Sequence, residues 1–129
     1  MGIDTQATDG WASLLLPAGA RGPAFLIRDN FAAIEAYNKA DAYVIAVGHL
    51  AERIAGAAPF RASWPRDLRA LTLPERKELQ QRLLDAGVYA GEADGKVGPL
   101  TIAAVKAFQR QTGATPDGYP SLDVLTKLR

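Results

Sequence analysis

The pattern of hydrophobic and polar positions changes along this chain. Near the N-terminus two short apolar runs, Trp11–Leu16 and Ala24–Ile27, flank the sequence PAGARGP. Because its Gly and Pro residues force a turn, this stretch predicts a loose hairpin or two extended segments. After residue 30 the apolar positions follow helical spacing, except in residues 56–70.

Two helices are predicted between residues 30 and 55. Asn30 is placed to cap a helix over Phe31–Tyr37, and Asp41 to cap a second helix over about Ala42–Ala55. Gly48 lies inside the second helix, where glycine costs up to about 1 kcal/mol relative to alanine, so we expect close packing against another element. The apolar stripe of this helix is formed by Val44, Val47, Ala51 and Ile54.

Residues 56–70 lack a helical period and contain Pro59, Pro65 and three arginines, which predicts a linker. Phe60 and Trp64 are aromatic for a free linker, so we expect the segment to lie along a domain surface. The predicted organisation is an N-terminal part over 1–58, a linker over 59–71 and a C-terminal domain over 72–129.

Three short helices are predicted in the C-terminal domain. Thr72 and Glu75 match a T-x-x-E capping box, Pro74 is tolerated in the first turn, and Gly87 ends the helix. Pro99 opens the second helix and Gly113 stops it, while Ser121 caps the third. The inward positions are Leu79, Leu83 and Leu84, then Thr101, Val105 and Phe108, then Leu122, Leu125 and Leu128. The predicted fold class is mainly α, with a short hairpin segment and two helices, a linker, and a three-helix bundle.

Composition and charge narrow the range of functions. The net charge of +1 over 129 residues argues against a dominant electrostatic partner, and no nucleic-acid partner is expected. Residues 61–129 hold 11 basic and 8 acidic side chains, against 4 and 6 in residues 1–60. This mildly basic half would suit an acidic polymer, although a solvated helical surface explains the same count.

Other chemistry is limited by what the sequence contains. There is no cysteine, which excludes disulfides and thiolate chemistry, and the single histidine, His49, has no obvious co-ligands. We therefore expect neither a metal nor a cofactor. No run of about 18 apolar residues predicts a transmembrane segment, and the polar stretch Met1–Gly10 is unlike a secretion signal.

Two Asp-Gly units mark the C-terminal domain. Each consists of an Asp-Gly turn, a loop with proline and the start of an amphipathic helix: ADGKVGPLTIAAVKAFQ over Ala93–Gln109 and PDGYPSLDVL over Pro116–Leu125. Together with Leu79-Gln80 and Gly87, they resemble the motif of the three-helix peptidoglycan-binding domain over Leu73–Arg129. One departure is Pro120-Ser121, where many members of that family have glycine.

The resemblance implies binding of peptidoglycan, as glycan strand or stem peptide, through a shallow groove near the turns. The candidate residues are Asp94, Gly95, Thr101, Asp117, Gly118 and Tyr119, with Tyr89 as a further aromatic. Each also has a structural explanation, because Asp-Gly pairs form turns and Thr101 can bond within the first helical turn. Phe108 is read as core rather than as a sugar platform. Neither turn has the alternating oxygen ligands of a calcium loop, so no metal is predicted there.

A second resemblance covers Leu14–Ala55, which is similar to the C-terminal end of the catalytic domain of membrane-bound B-type lytic murein transglycosylases. It is carried by Gly22-Pro23-Ala24-Phe25, Asn30-Phe31, Tyr37-Asn38 and Tyr43-x4-Gly48-x-Leu50-Ala51. In that family a catalytic domain precedes a wall-binding module, and the two resemblances occur here in the same order.

The resemblance implies that Tyr37, Asn38 and Tyr43 bind substrate in a glycan cleft. Tyrosine rings pack on sugar faces, and an asparagine amide both donates to and accepts from an amino sugar. The alternative is that Tyr43 is half-buried packing and Asn38 a helix C-cap.

No catalytic residue is expected in this chain. In the family one carboxyl group protonates the glycosidic oxygen between N-acetylmuramic acid and N-acetylglucosamine, and the muramic C6 hydroxyl then closes on its own anomeric carbon to give a 1,6-anhydro product. That carboxyl belongs to a Glu-Ser motif upstream of the matched segment, and no Glu-Ser pair occurs here. Glu35 and Glu52 read as solvated helix residues.

Three readings follow from these features. The first is the C-terminal part of a periplasmic or wall-associated lytic transglycosylase, with catalytic and export sequences expected upstream. Residues 1–58 would then pack poorly without the missing catalytic domain, and their apolar stripe would be covered by the C-terminal bundle, by the hairpin or by self-association with a second copy of the chain. The second is a stand-alone, non-catalytic wall-binding protein. The third is a helical interaction domain whose Asp-Gly turns are purely structural.

Overall fold

A computed structural model describes residues 12–129, so the predictions for Met1–Gly10 and for Trp11 lie outside the described residues. The described part is mainly helical. Its strands and α-helices are β1 (Ser13–Leu15), β2 (Phe25–Ile27), α1 (Asp29–Glu35), α2 (Asp41–Ile54), α3 (Leu73–Asp85), α4 (Pro99–Gln111) and α5 (Leu122–Leu128), and a 3-10 turn at Gly19–Arg21 lies between the two strands. This confirms the predicted fold class.

The chain divides into two compact units. Among the described residues, 12–17 and Arg21–Trp64 form the first unit, whereas Ala18–Ala20 and Pro65–Arg129 form the second. The second unit thus includes three residues from the loop between the two strands.

The first unit contains the hairpin, α1 and α2. β1 and β2 pair antiparallel, with Ser13 opposite Ile27 and Leu15 opposite Phe25. The caps predicted for the two helices are wrong, because the residues preceding α1 and α2 are Arg28 and Ala40, and neither side chain caps the helix. Asp41 is instead the first residue of α2, where the interaction of its negative charge with the positive end of the helix dipole stabilises the helix.

The apolar stripe of α2 is buried at one position only. Val44 is 2% exposed, whereas Val47 is 37% and Ile54 80% exposed. α1 packs on α2 through Ile34, whose Cδ1 atom lies 3.9 Å from where a Cβ on Gly48 would stand. That distance is an ordinary van der Waals contact, so a side-chain methyl group would fit at Gly48. The expected close packing against this glycine is therefore wrong.

Aromatic side chains hold the irregular segment after α2 against the first unit. Phe60 meets Phe25 edge to face at 5.3 Å between ring centroids, and the His49 ring stacks on Phe60 at 3.7 Å. Trp64 completes the group at 6.3 Å from Phe60. The first part of the predicted linker therefore lies along a surface, as its aromatic residues indicate.

The three helices of the second unit enclose a single cluster of buried side chains. Its members are Leu71, Leu79, Leu83, Ala104, Val105, Val124 and Leu125, with Val88, Tyr89, Phe108, Leu122 and Leu128 partly buried around them. Most of the predicted inward positions are confirmed, and Leu84 is half-buried. Phe108 packs against this core, in agreement with its reading as a core residue.

Local capping explains where these helices begin. The Thr72 hydroxyl accepts from the Glu75 N–H, and the Glu75 carboxylate accepts from the Thr72 N–H at 2.8 Å, which confirms the capping box. Pro99 opens α4, and the Ser121 hydroxyl accepts from the Val124 N–H at the start of α5. Two of the three helix starts are thus fixed by side chains within four residues, which is why the sequence could predict them.

Candidate functional site

The first Asp-Gly turn is closed by the carboxylate of its own aspartate. Asp94 Oδ1 accepts from the Lys96 N–H at 2.8 Å, and Gly95 takes a φ of 80°, which non-glycine residues rarely adopt. The Lys96 N–H is the main reason that the pKa of Asp94 lies below its ordinary value. The turn is therefore built to hold an ionised aspartate.

A buried glutamine from α3 holds this turn from beneath. Gln80 is 1% exposed, and its Oε1 accepts from the Gly95 N–H at 2.6 Å. Its Nε2 donates to the Lys96 carbonyl at 2.9 Å and to the Thr101 hydroxyl at 3.1 Å. One side chain thereby joins α3, the turn and the first turn of α4.

The second Asp-Gly turn repeats this arrangement with a glutamine from α4. Asp117 Oδ1 accepts from the Tyr119 N–H at 2.8 Å and from Gln109 Nε2 at 2.7 Å. Gln109 Oε1 accepts from the Gly118 N–H at 2.9 Å. The two units recognised in the sequence are therefore alike in three dimensions.

Both turn glycines lie against matching side chains of the supporting helix. A Cβ on Gly95 would clash with Leu73 Cδ1, and a Cβ on Gly118 would stand 2.8 Å from Ile102 Cγ2. Lys77 in α3 and Lys106 in α4 also border the respective glycines. Glycine is required at both turns by its backbone conformation and by this close approach.

The predicted wall-binding residues differ in exposure. Asp94 is exposed, Asp117 and Tyr119 are half-buried, and Gly95, Thr101 and Gly118 are buried. Thr101 bonds to Gln80 and to the Lys96 carbonyl, so its hydroxyl serves the fold. Their ligand contacts remain predictions. The open surface beside the first turn consists of Asp94, Lys96, Val97 and Leu100, the last of which is 65% exposed.

The predicted aromatic corner forms between α1 and α2. The Tyr37 and Tyr43 rings stack with centroids 6.2 Å apart and planes 26° from parallel, and their side chains are 85% and 37% exposed. Asn38 Oδ1 accepts from the Ala40 N–H at 3.0 Å, which fixes the backbone entering α2. The three residues converge at one corner, as their spacing predicts, and their part in glycan binding stays a prediction.

A separate cleft of about 260 Å³ lies in the first unit, between β2, α1 and α2. Phe31, Ile34 and Val44 form part of its apolar lining, and Arg28 and His49 supply polar groups. His49 lies 3.9 Å from the Glu52 carboxylate. None of the side chains predicted to bind substrate lines this cleft.

Residues 12–129 contain neither a candidate metal-binding cluster nor a helix that could span a membrane. In this range no three His, Cys, Asp or Glu side chains come together as a metal-binding group. None of the helices described there combines the length and the apolar character needed to cross a bilayer.

The two units correspond to two known kinds of domain. Residues 72–128 match the family described as "Putative peptidoglycan binding domain", and residues 2–52 match the family described as "Transglycosylase SLT domain". The motif-based resemblances to a peptidoglycan-binding domain and to a transglycosylase domain are therefore confirmed as domain matches.

Solved structures of SltB3 from Pseudomonas aeruginosa resemble the chain over both parts. One, in complex with NAG-anhNAM-pentapeptide, is 45% identical with a TM-score of 0.87. Another, in complex with NAG-NAM-pentapeptide, is 46% identical with a TM-score of 0.87. In each comparison the match covers 92% of this chain and 32% of the SltB3 chain, so this chain spans about a third of its relative's length. No curated protein sequence matches the chain.

Gln80 and Gln109 are the functional-site residues whose roles the sequence did not reveal. Both belong to the family motif, but the pattern gave no reason for a glutamine there. The available signal is that each follows an apolar residue on the inner face of its helix, Leu79 or Phe108, and precedes an Asp-Gly pair. A buried amide that follows an inward apolar residue needs hydrogen-bond partners, and the Asp-Gly turn supplies them.

Proposed function

We propose that this chain binds peptidoglycan through residues 72–129 and supplies one end of the glycan cleft of a lytic murein transglycosylase of the membrane-bound B type. The observation that carries the proposal is the likeness to SltB3 at 45% identity over 92% of the chain. It is supported by the two domain matches, the transglycosylase domain over residues 2–52 and the peptidoglycan-binding domain over residues 72–128. The SltB3 structures hold muropeptide-type ligands, which supports peptidoglycan as the ligand class.

The first Asp-Gly turn is our proposed centre of wall binding. Its open surface combines the Asp94 carboxylate, the Lys96 ammonium and the apolar side chains Val97 and Leu100. Such a surface can pair with charged and amide groups of a stem peptide and also cover an apolar face of the ligand. Gly95 and Thr101 would contribute by shaping the turn.

Sedimentation of the full chain with purified sacculi tests wall binding. We expect the wild-type chain to pellet with sacculi and Leu100→Ser to pellet less, because the exposed apolar surface beside the turn is lost. Ile54→Ser is the matched control, since Ile54 is an exposed apolar residue of the first unit, and it should pellet like wild type. A wild-type chain that stays in the supernatant at low salt would contradict wall binding.

The aromatic corner is our proposed contribution to the glycan cleft. Tyr37 presents most of its ring to solvent beside Tyr43, and Asn38 adds an amide whose Nδ2 can donate to a sugar. Titration with a muropeptide, followed by NMR, should shift the amides of Tyr37–Tyr43. Tyr37→Phe should retain these shifts and Tyr37→Ala should lose them; their absence in wild type would contradict this role.

Glycan cleavage is not proposed for this chain by itself. The family's Glu-Ser motif is not found in these 129 residues, and we propose that the acid that forms the 1,6-anhydro product comes from elsewhere in a longer protein. Export to the periplasm would then also belong to that longer protein. Clearing of a murein gel by this purified chain would contradict the proposal, whereas binding without clearing agrees with it and with a non-catalytic wall-binding protein.

A further inference from the structure

The two Asp-Gly turns differ in how they use the second oxygen of the aspartate. In the described chain, the hydrogen bonds to Asp94 go to Oδ1, from the Lys96 N–H and from Gln80 Nε2. Asp117 uses Oδ1 in the same way, but its Oδ2 also accepts from the Ala20 N–H at 2.7 Å. The second turn therefore binds a piece of backbone 97 residues away in sequence.

Gly19 brings that backbone close to the second turn. It is buried and has a φ of 67°. A Cβ at this position would stand 2.7 Å from Asp117 Oδ2 and 2.9 Å from Tyr119 Cβ. A residue other than glycine would be strained and would collide with the turn, so the surface selects a small residue followed by an N–H donor.

The first turn has a different residue at the matching position. Lys96 corresponds to Tyr119, since each directly follows the Asp-Gly pair, and Lys96 is exposed whereas Tyr119 is half-buried. In the second turn, the side chains of Asp117 and Tyr119 contact the backbone at Gly19 and Ala20. The first turn thus keeps its outer face open.

We propose that the second Asp-Gly turn is a backbone-binding site that this chain fills with its own residues Ala18–Ala20, which leaves the first turn as the open one of the pair. The site recognises a short peptide backbone that carries glycine next to an N–H donor. In agreement with this contact, Ala18–Ala20 group with the second unit, although residues on both sides of them belong to the first. The occupancy of the second turn by Ala18–Ala20 does not depend on wall binding. That the first turn is the one that binds peptidoglycan rests on the proposed function.

Amide hydrogen exchange of the full chain tests the occupancy directly. We expect the Ala20 amide to exchange at least tenfold more slowly than its unprotected rate in wild type. Asp117→Asn should abolish that protection. If the new amide oxygen keeps the bonds from Tyr119 and Gln109, the amide nitrogen takes the place of Oδ2 beside the Ala20 N–H. Two hydrogen-bond donors then face each other, and neither can accept. The Tyr119 amide should stay protected in this variant.

Matched variants separate this contact from general loosening. Asp94→Asn alters the other turn and should leave Ala20 protected. Gly19→Ala should release Ala20, whereas Gly56→Ala, also at positive φ but with nothing within 4 Å of the new Cβ, should not. An unprotected Ala20 amide in wild type, or protection that survives both Asp117→Asn and Gly19→Ala, would overturn the proposal.

Muropeptide titration then shows which turn is open. Shifts at Asp94–Lys96 with an unchanged, protected Ala20 amide support the assignment. Shifts at Gly118 and Tyr119 together with loss of Ala20 protection would overturn it, because the ligand would have displaced Ala18–Ala20. Shifts at neither turn would contradict wall binding by the turns but leave the occupancy to be decided by the exchange experiment.

Discussion

At the scale of single residues, two buried glutamines determine the geometry of the candidate wall-binding module. Gln80 and Gln109 each accept from the glycine N–H of an Asp-Gly turn and donate to acceptors in or beside it. Buried polar groups stabilise a fold only when they are paired, and no buried side-chain polar atom in the described residues lacks a partner. The turns are thus held by these two amide side chains.

Gln80→Ala should destabilise the second unit. The substitution leaves the buried Gly95 N–H and the Thr101 hydroxyl without their main partner, at an expected loss of about 2–3 kcal/mol in the free energy of unfolding. Gln81→Ala is the control, since Gln81 is exposed and bonds only to the Asp85 side chain, and it should change stability by less than about 0.5 kcal/mol. Urea denaturation of the two variants measures the difference. Equal losses in the free energy of unfolding would contradict the role of Gln80 in holding the first Asp-Gly turn.

At the scale of elements, α2 is amphipathic but mostly unburied. One of its apolar residues, Val44, is in the interior, whereas Leu50 and Ile54 are 61% and 80% exposed. The helix is held chiefly by its contact with α1 and by the aromatic group at Phe60. Its stability should therefore depend on intrinsic helix propensity and on few side chains.

Gly48→Ala should stabilise α2. The new methyl group would stand 3.9 Å from Ile34 Cδ1, which is free of clash, and alanine is favoured over glycine inside a helix by about 0.8–1 kcal/mol. Amide exchange across α2 should slow by the corresponding factor. Ala46→Gly, at an exposed position of the same helix, should speed exchange by a similar amount; slower exchange in both variants would rule out propensity as the cause.

Val44→Ala and Val47→Ala should differ in their cost. Val44 is 2% exposed, so the loss of two buried methyl groups should cost about 2 kcal/mol, including the cavity left behind. Val47 is 37% exposed, and its replacement should cost under about 1 kcal/mol. Exchange rates of α2 amides in the dilute chain compare the two; an equal cost would mean that another surface covers Val47 in solution.

At the scale of the whole molecule, carboxylates of α3 join distant parts of the second unit. Glu78 accepts from Arg129 at 3.0 Å, across 51 residues of sequence, and from Arg82 at 2.9 Å. Glu75 makes a two-point bond with Arg69 at 2.6 and 2.7 Å in addition to its role in the capping box. Hydrogen bonds from Arg69 lower the pKa of Glu75 to about 2, and those from Arg129 and Arg82 lower that of Glu78 to about 2.

The second unit should lose stability in acid. Because the pKa values of Glu75 and Glu78 are depressed in the folded state from an ordinary 4.5, their contribution is present above pH 4.5 and is lost as the pH falls towards 2. Both groups reach solvent, so high salt should weaken the effect. Urea midpoints at several pH values measure it.

Substitution of the same carboxylates provides the control for the acid effect. Glu75→Gln combined with Glu78→Gln should flatten the pH dependence between 4.5 and 2 while lowering stability at neutral pH. Glu92→Gln, at an exposed position of the same unit, should leave the dependence as in wild type. An unaltered pH profile in the double variant would show that other groups cause the acid loss.

Local chemistry is what the sequence by itself determined. The helix starts at Thr72, Pro99 and Ser121 and the two Asp-Gly turns could be predicted, because capping and turn formation act over three or four residues. The motifs built on these turns and caps also predicted the match to the peptidoglycan-binding family. The helices of the first unit lack such side-chain caps, and their predicted starts were off by one or two residues for that reason.

Only the tertiary structure decided which apolar and polar groups are buried and what they contact. Periodicity places Val44 and Val47 on one stripe, but burial depends on which element packs there, and only Val44 is covered. Likewise the hydrogen bonds that Gly95 donates to Gln80 and that Ala20 donates to Asp117 join residues 15 and 97 apart. No local pattern fixes such pairs, because they form only when folding brings separate segments within hydrogen-bond distance.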